Sequence, residues 1–301
     1  MPIDSKAVVH PSAKIHKSAE ICAYAVVGKN VEIGAGTIIE SHAVIHPSAK
    51  IHKTAEIFAY AVIGANVEIG AGTIVESHAV IQGPSKVGKN NHIYSFASIG
   101  GDPQDISYSE DQESNLIIGD DNLIREFCTI NRGTEKENAV TRIGSNNMLM
   151  AYVHIAHDCE LGDHVIMSNN ASLAGHVKVH DWAILGGFVL VKQFCMVGMH
   201  TYIGMGCQVN KDIPAFMLAS GSPCRIRSIN SKGMQRRGFS PASISSIQRA
   251  FKSVFKESQG KLLDTKLDEL QIKEKDSVEV ATFIKCIRSS KEGVMRGPSE
   301  E

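Results

Sequence analysis

The densest set of chemically capable side chains in this 301-residue chain is Val153-His154-Ile155-Ala156-His157-Asp158-Cys159. An imidazole beside a carboxylate is a usual pair for moving protons at neutral pH. Eighteen residues past His157 stands Gly175, and eighteen further stands Gln193; the same step takes Asp158 to His176. If eighteen residues make one turn of the structure, a His, a Gly and a Gln form one column with a second His beside the Gly. That column suits acyl transfer: a general base, a bare backbone N–H that can approach an oxyanion, and an amide to orient a substrate. His154-x-x-His157 also has the spacing of a metal pair, but no third ligand stands at a sensible spacing, so no metal is expected. The plain alternative for any single histidine here is a solvated turn residue, as for His10, His16, His46 and His52.

The eighteen-residue turn follows from a six-residue period. Every sixth residue from Val9 to Ile99 is aliphatic, and the series resumes at Ile118, Ile124 and Ile130, then again from Ile143 to Val209. Small residues such as Ala7, Ala13, Ala19, Ala171, Ala183, Cys195 and Thr201 sit two positions before it. Six matches neither a helix nor an alternating strand. It matches a hexapeptide-repeat parallel β-helix, about ten coils of three hexads and roughly 50 Å long at the inter-strand spacing.

Residues 7–42 and 43–78 are near copies, a duplicated two-coil unit that keeps every face in register. Two polar stretches, 101–116 and 133–142, break the phase and read as loops thrown from corners, where function commonly resides. The hexads stop near Asp212-Ile213-Pro214. The solenoid is expected over 1–222 and a small helical carboxyl-terminal domain over 223–301. One helix begins at Ser240-Pro241 and runs towards Gly260, and another begins near Ser277.

Composition excludes several classes. A formal charge of −1 gives no global field for nucleic acid. Apolar runs are broken every few residues, so no membrane span is expected, and the amino terminus lacks a signal-peptide core. Seven scattered cysteines without a C-x-x-C pair support neither a disulfide framework nor a zinc ribbon, and a cytoplasmic location follows.

The run AYVHIAHDCELGDHVIMSNNASLAGHV, with FASIGGDPQD before it and VKQFCMVG and MQRRGFS after it, resembles the acyl-carrier-protein–UDP-N-acetylglucosamine O-acyltransferases, which begin lipid A synthesis. The resemblance implies a left-handed coil and a homotrimer with active sites between prisms. It implies transfer of a 3-hydroxyacyl chain from acyl carrier protein, without a further cofactor. His157 would be the general base, Asp158 its neighbour and Gly175 the oxyanion donor. Gln104, Asp105, His154 and His176 would line the sugar site, Gln193 would lie near the diphosphate, and Asn230, Arg236 and Arg237 would hold the nucleotide. Met205 would close the far end of the acyl groove, favouring shorter chains. Asn131, Lys192 and Ser107 depart from the expected His, His and Lys. They leave open an amide-forming transfer to a 3-amino UDP-sugar.

Residues 225–261 hold nine Lys and Arg against Glu257 alone, a basic stretch that would suit an acidic carrier protein. Two readings from other classes remain. One is a metal-dependent trimer like the γ-type carbonic anhydrases, although no two histidines stand five apart. The other is a purely structural β-solenoid, which leaves the polar column without a purpose.

Overall fold

The computed structural model describes residues 3–109, 111–136, 138–256 and 261–297. Its body is a three-faced parallel β-helix built from strands mostly two residues long. The first face has eleven strands, from Val8–Val9 to Gln208–Val209, and the second has ten, from Lys14–Ile15 to Met196–Val197. The third has twelve, from Glu20–Ile21 to Arg225–Ile229, the last of them antiparallel. Each strand pairs with the one a coil away, as Val26 does with Val44 and Val62 with Val80.

The hexad residues point inward. Ile21, Ile39, Ile57 and Val75 on successive coils are at most 1% exposed, and the small residues Ala19, Ala25, Ala55 and Ala61 fill the corners. Burying one such aliphatic side chain contributes about 1.5–3 kcal/mol. Most corners also carry a left-handed residue, many of them not glycine: Tyr24, His42, Tyr60, His78, Phe96, Phe127 and Tyr152 all have φ between 60° and 64°. Their rings stack down one edge at centroid spacings of 4.9–5.4 Å, offsetting strain that would be costly in isolation. The duplicated unit supplies the first four rings.

The two loops break the coil without breaking the register. Ser98 pairs with Thr129, and Thr129 with His154. Partners there are 31 and 25 residues apart, where 18 is the rule. Strand residues Gly101, Asn115 and Val140 shorten the loops to 102–114 and 132–139, the second starting one residue earlier than expected, because backbone pairing runs beyond the hexad residues on either side. A buried asparagine ladder holds the opposite corner through this region: Asn91 Oδ1 accepts from the Asn122 backbone and Asn122 Oδ1 from that of Asn147, both at 2.9 Å.

The coil outlasts the hexads. Met217–Ser220 pairs parallel to Tyr202–Ile203 and then antiparallel to Arg225–Ile229, so residue 222 lies in a hairpin turn. Among the described residues four helices follow: α1 (Ser231–Arg236), α2 (Pro241–Phe255), α3 (Leu263–Lys273) and α4 (Val278–Arg288). Ser240 and Ser277 cap α2 and α4 as their sequences predict, while the expected end of α2 near Gly260 lies outside the described residues. Helix α3 shows little amphipathic pattern and escapes sequence reading; Leu267 and Leu270 alone bury it. The chain then returns to the solenoid's end, where the Asp212 backbone bonds Gly293 and Met295 at 2.9 and 2.8 Å. No described helix is long and apolar enough to cross a membrane.

Excising residues 7–42 removes two whole coils and lets the 43–78 copy inherit the same end contacts. Because each coil touches only its neighbours, the shortened protein should fold, melt a few degrees lower and keep its turnover number within about twofold. Circular dichroism melting and steady-state kinetics would check this, and a folded but inactive product would contradict it.

Candidate active site

Both loops leave the prism at one corner, that between the first and second faces. Loop 102–114 joins strands Ser98–Gly101 and Asn115–Ile118; loop 132–139 joins Thr129–Asn131 and Val140–Ile143. The next three coils place His157-Asp158, Gly175-His176 and Gln193-Phe194 at the same corner. The His176 backbone donates to the His157 carbonyl at 3.1 Å and that of Phe194 to Gly175 at 3.2 Å, so the column expected from eighteen-residue spacing is built.

Asp158 is the anchor. It occupies a left-handed corner with φ of 59° and is 3% exposed. His157 Nδ1 lies 2.8 Å from its Oδ2, and Thr134 donates its hydroxyl to Oδ2 at 2.7 Å and its backbone N–H to Oδ1 at 2.8 Å. The Asp158 N–H in turn donates to the Thr141 hydroxyl at 2.8 Å. Burial opposes ionisation of this carboxyl. The hydrogen bonds from His157 and Thr134 outweigh burial and hold it below the ordinary carboxylate range.

Around this pair, the His176 ring meets His157 edge-on at 5.1 Å and stacks on Phe194 at 4.6 Å. His154 Nδ1 lies 2.7 Å from the Thr129 hydroxyl, and burial, helped by His157, pushes its imidazole below its usual value. A Cβ on Gly175 would stand 2.6 Å from His157 Cε1, so only glycine fits over the ring. Asp105, on the first loop, reaches within 4.0 Å of His157 Nε2. Lys136 grips the same Asp105 oxygen at 2.6 Å, and Ser107 bonds the carboxylate through its N–H and hydroxyl at 2.8 and 2.9 Å. These contacts hold Asp105 far below the carboxylate range, Lys136 foremost.

Thr134, Lys136 and Arg132 are the residues that sequence reading misses. Arg132 is buried and roots the first loop, donating to the Gly100 carbonyl at 2.5 Å, to Ser114 at 3.0 Å and to Asp102. Asn131 donates to the Asp102 carbonyl at 2.6 Å, so this departure serves the same root. Their signal was their place on a phase-breaking loop, which says where a loop leaves but not which side chains fold back. The next coil adds a third polar ring to the cluster: His157, Asp158 and His176 offer atoms within 4.8 Å of one another, a different set from the expected pair His154 and His157. Both Asp158 oxygens already accept hydrogen bonds, an arrangement that suits proton transfer.

Gln104 and Gln193 are exposed at the same corner. Asn230 is spent structurally, its Oδ1 capping α1 at Gly233 and its Nδ2 bonding the His200 carbonyl at 2.9 Å. Arg237 lies 3.3 Å from His200 Nδ1 and 5.2 Å over Trp182, at the corner between the second and third faces, and Arg236 is exposed beside it. Burial, then Arg237, push the His200 imidazole down to about 4. Met205, 78% exposed, sits at the remaining corner, between the third and first faces. Lys192 pairs with Glu292 of the returning carboxyl-terminal segment at 2.8 Å. The basic stretch 225–261 is partly neutralised by acids beyond its window, Arg249 by Glu274 and Lys261 by Glu269.

Residues 3–47, 48–83 and 141–175 match the bacterial transferase hexapeptide repeat, and residues 212–295 match the second domain of UDP-N-acetylglucosamine O-acyltransferase. A relative from Saccharophagus degradans, the acyl-[acyl-carrier-protein]–UDP-N-acetylglucosamine O-acyltransferase, is 46% identical over 294 residues, 98% of this chain and 99% of its own. The chain belongs to that acyltransferase family. Solved members agree: the UDP-N-acetylglucosamine acyltransferase of Arabidopsis superposes with a TM-score of 0.83 at 32% identity, covering 96% of this chain and all of its own. That of Francisella novicida gives 0.78 at 35%, covering 99% and 95%.

Gly175→Ala should leave the fold intact while displacing the His157 ring. Since misplacement of about 1 Å costs on the order of 10²-fold, kcat should fall by about that factor with unchanged melting temperature. Steady-state kinetics beside a melting curve would check it.

Proposed function

We propose that this acyltransferase moves a 3-hydroxyacyl group from the phosphopantetheine thioester of acyl carrier protein to the 3-hydroxyl of UDP-N-acetylglucosamine, the first step of lipid A biosynthesis. The carrying observation is the polarised imidazole. With Asp158 ionised, the proton shared with His157 resides on Nδ1, which leaves the Nε2 lone pair to accept another. Nε2 takes the proton of the sugar 3-hydroxyl as its oxygen attacks the thioester carbonyl. The Gly175 N–H receives the oxyanion. Collapse breaks the C–S bond, and the imidazolium returns its proton to the departing thiolate. Asp158 stabilises the imidazolium between the two transfers. No metal or further cofactor enters this scheme. The relatives are named O-acyltransferases of the N-acetylglucosamine nucleotide, which favours the ester over the amide product.

Within one chain the expected residues occupy three corners: the base set on one, Arg236 and Arg237 against the second, and Met205 on the third. A homotrimer would bring corners of neighbouring prisms together, and this distribution supports it. Exposed Phe188, Leu190, Phe194 and Met205 lie along the first face and its edges beyond His157, an apolar path for an acyl chain that Met205 would close. The remaining lysines and arginines of 225–261 suit an acidic carrier protein, and an enzyme that uses that partner and a UDP-sugar would work in the cytoplasm.

His157→Ala should lower kcat by ~10²–10⁴ without unfolding the chain. Mass spectrometry of products from purified protein, acyl carrier thioesters and the UDP-sugar would read it; retention of more than about a tenth of the activity would refute the assigned base. In the same assay Met205→Gly should move the chain-length optimum upward, with about a tenfold gain for a chain two carbons longer, since each buried methylene contributes ~0.8 kcal/mol. An unchanged optimum would place the groove's end elsewhere.

A further inference from the structure

Loop 132–139 touches both carboxylates that flank His157, and it treats them differently. Thr134 braces Asp158 through its hydroxyl and backbone N–H. Two residues later, Lys136 draws on Asp105. We infer that Lys136 is a positioning residue that keeps Asp105 off the catalytic imidazole.

The geometry is a contest for one oxygen. Asp105 Oδ2 lies 2.6 Å from Lys136 Nζ and 4.0 Å from His157 Nε2. The other oxygen, Oδ1, is held by Ser107. Asp105 is 13% exposed and Lys136 is 52% exposed, so the lysine reaches in from the rim to a carboxylate lodged at the ring. Without the ammonium, Oδ2 needs to move little more than 1 Å to accept a hydrogen bond from Nε2. His157 would then donate from both nitrogens, to Asp158 on one side and Asp105 on the other. An imidazole held between two carboxylates stays protonated and has no lone pair for the sugar hydroxyl. Among the described residues, the other titratable groups facing His157 are His154 and His176, and an imidazole carries no permanent positive charge to offset a second carboxylate. Lys136 therefore leaves Asp105 free to meet the acceptor and His157 free to act as a base.

This inference rests on His157 being the base, and the experiment separates the two. The pH dependence of kcat/KM is measured for the full chain and for Lys136→Met, Lys136→Arg and the double variant Lys136→Met/Asp105→Asn. In Lys136→Met the acid limb should move about one unit or more to higher pH, so that activity below it falls about tenfold while the alkaline plateau of kcat stays near the parent's. Arginine should restore the limb. The double variant should also return it to the parental position, at the expense of a raised KM for the UDP-sugar. A limb that does not move, a uniform loss at every pH, or a failure of arginine to restore it would each overturn the role of Lys136. If His157→Ala is inactive in the same series, such a result leaves the base assignment standing; an active His157→Ala would remove that assignment itself.

Discussion

The parallel backbone ladder between coils is the interaction on which everything else depends. Strands two residues long have no stability of their own, and each is held by hydrogen bonds to the coils above and below, as in Cys22 N–H to the Ile39 carbonyl at 2.9 Å and Glu40 N–H to that of Ile57 at 2.8 Å. Pairing succeeds only if each coil returns to the same place. That requires a fixed hexad phase between the loops, a compact or fully hydrogen-bonded residue at each inner corner, and a backbone able to turn sharply there. Left-handed conformations at Tyr24, Asn30 and Thr54 accept local strain to make those turns, and the ladder together with the ring stack holds them in place.

A body made this way can gain chain only at its corners. An insertion within a strand would shift every inward residue outward; one between strands leaves pairing intact. Both loops obey this and leave at one corner in successive coils. The third coil then supplies His157 and Asp158 at the spot the loops overhang. The ladder thus provides rigid vertical spacing, and the loops supply what it cannot: a roof of polar groups close enough to bury an ionised carboxylate. Asp158 is ionised in a buried place because Thr134 and His157 satisfy both its oxygens. The same economy explains Arg132, a buried cation that stays buried because Gly100, Ser114 and Asp102 take up its hydrogens.

The helical domain is joined by packing as well as by the chain. Trp182, His200 and Phe216 continue a stacked corner column, and Phe239 meets both His200 and Phe216 edge-on. Asn230 ties the start of α1 to the His200 carbonyl. The arginines of the MQRRGFS segment are therefore carried on the body of the prism, at a fixed angle from the His157 corner.

The sequence alone determined the solenoid, the eighteen-residue step and the column of His157, Gly175 and Gln193, because a strict period turns chain distance into spatial position. It also marked where the two loops depart, since a broken phase is visible in the order of residues. Tertiary structure decided what those loops do. Nothing in Thr134, Lys136 or Arg132 as residue types says that a short polar stretch folds back over a corner one coil away. Helix α3 was likewise invisible, because its few apolar contacts come from neighbours and leave no periodic trace. Local repetition fixes what the ladder repeats; the contacts that complete the site are made once, between segments of unrelated sequence, and exist only after the coils have stacked.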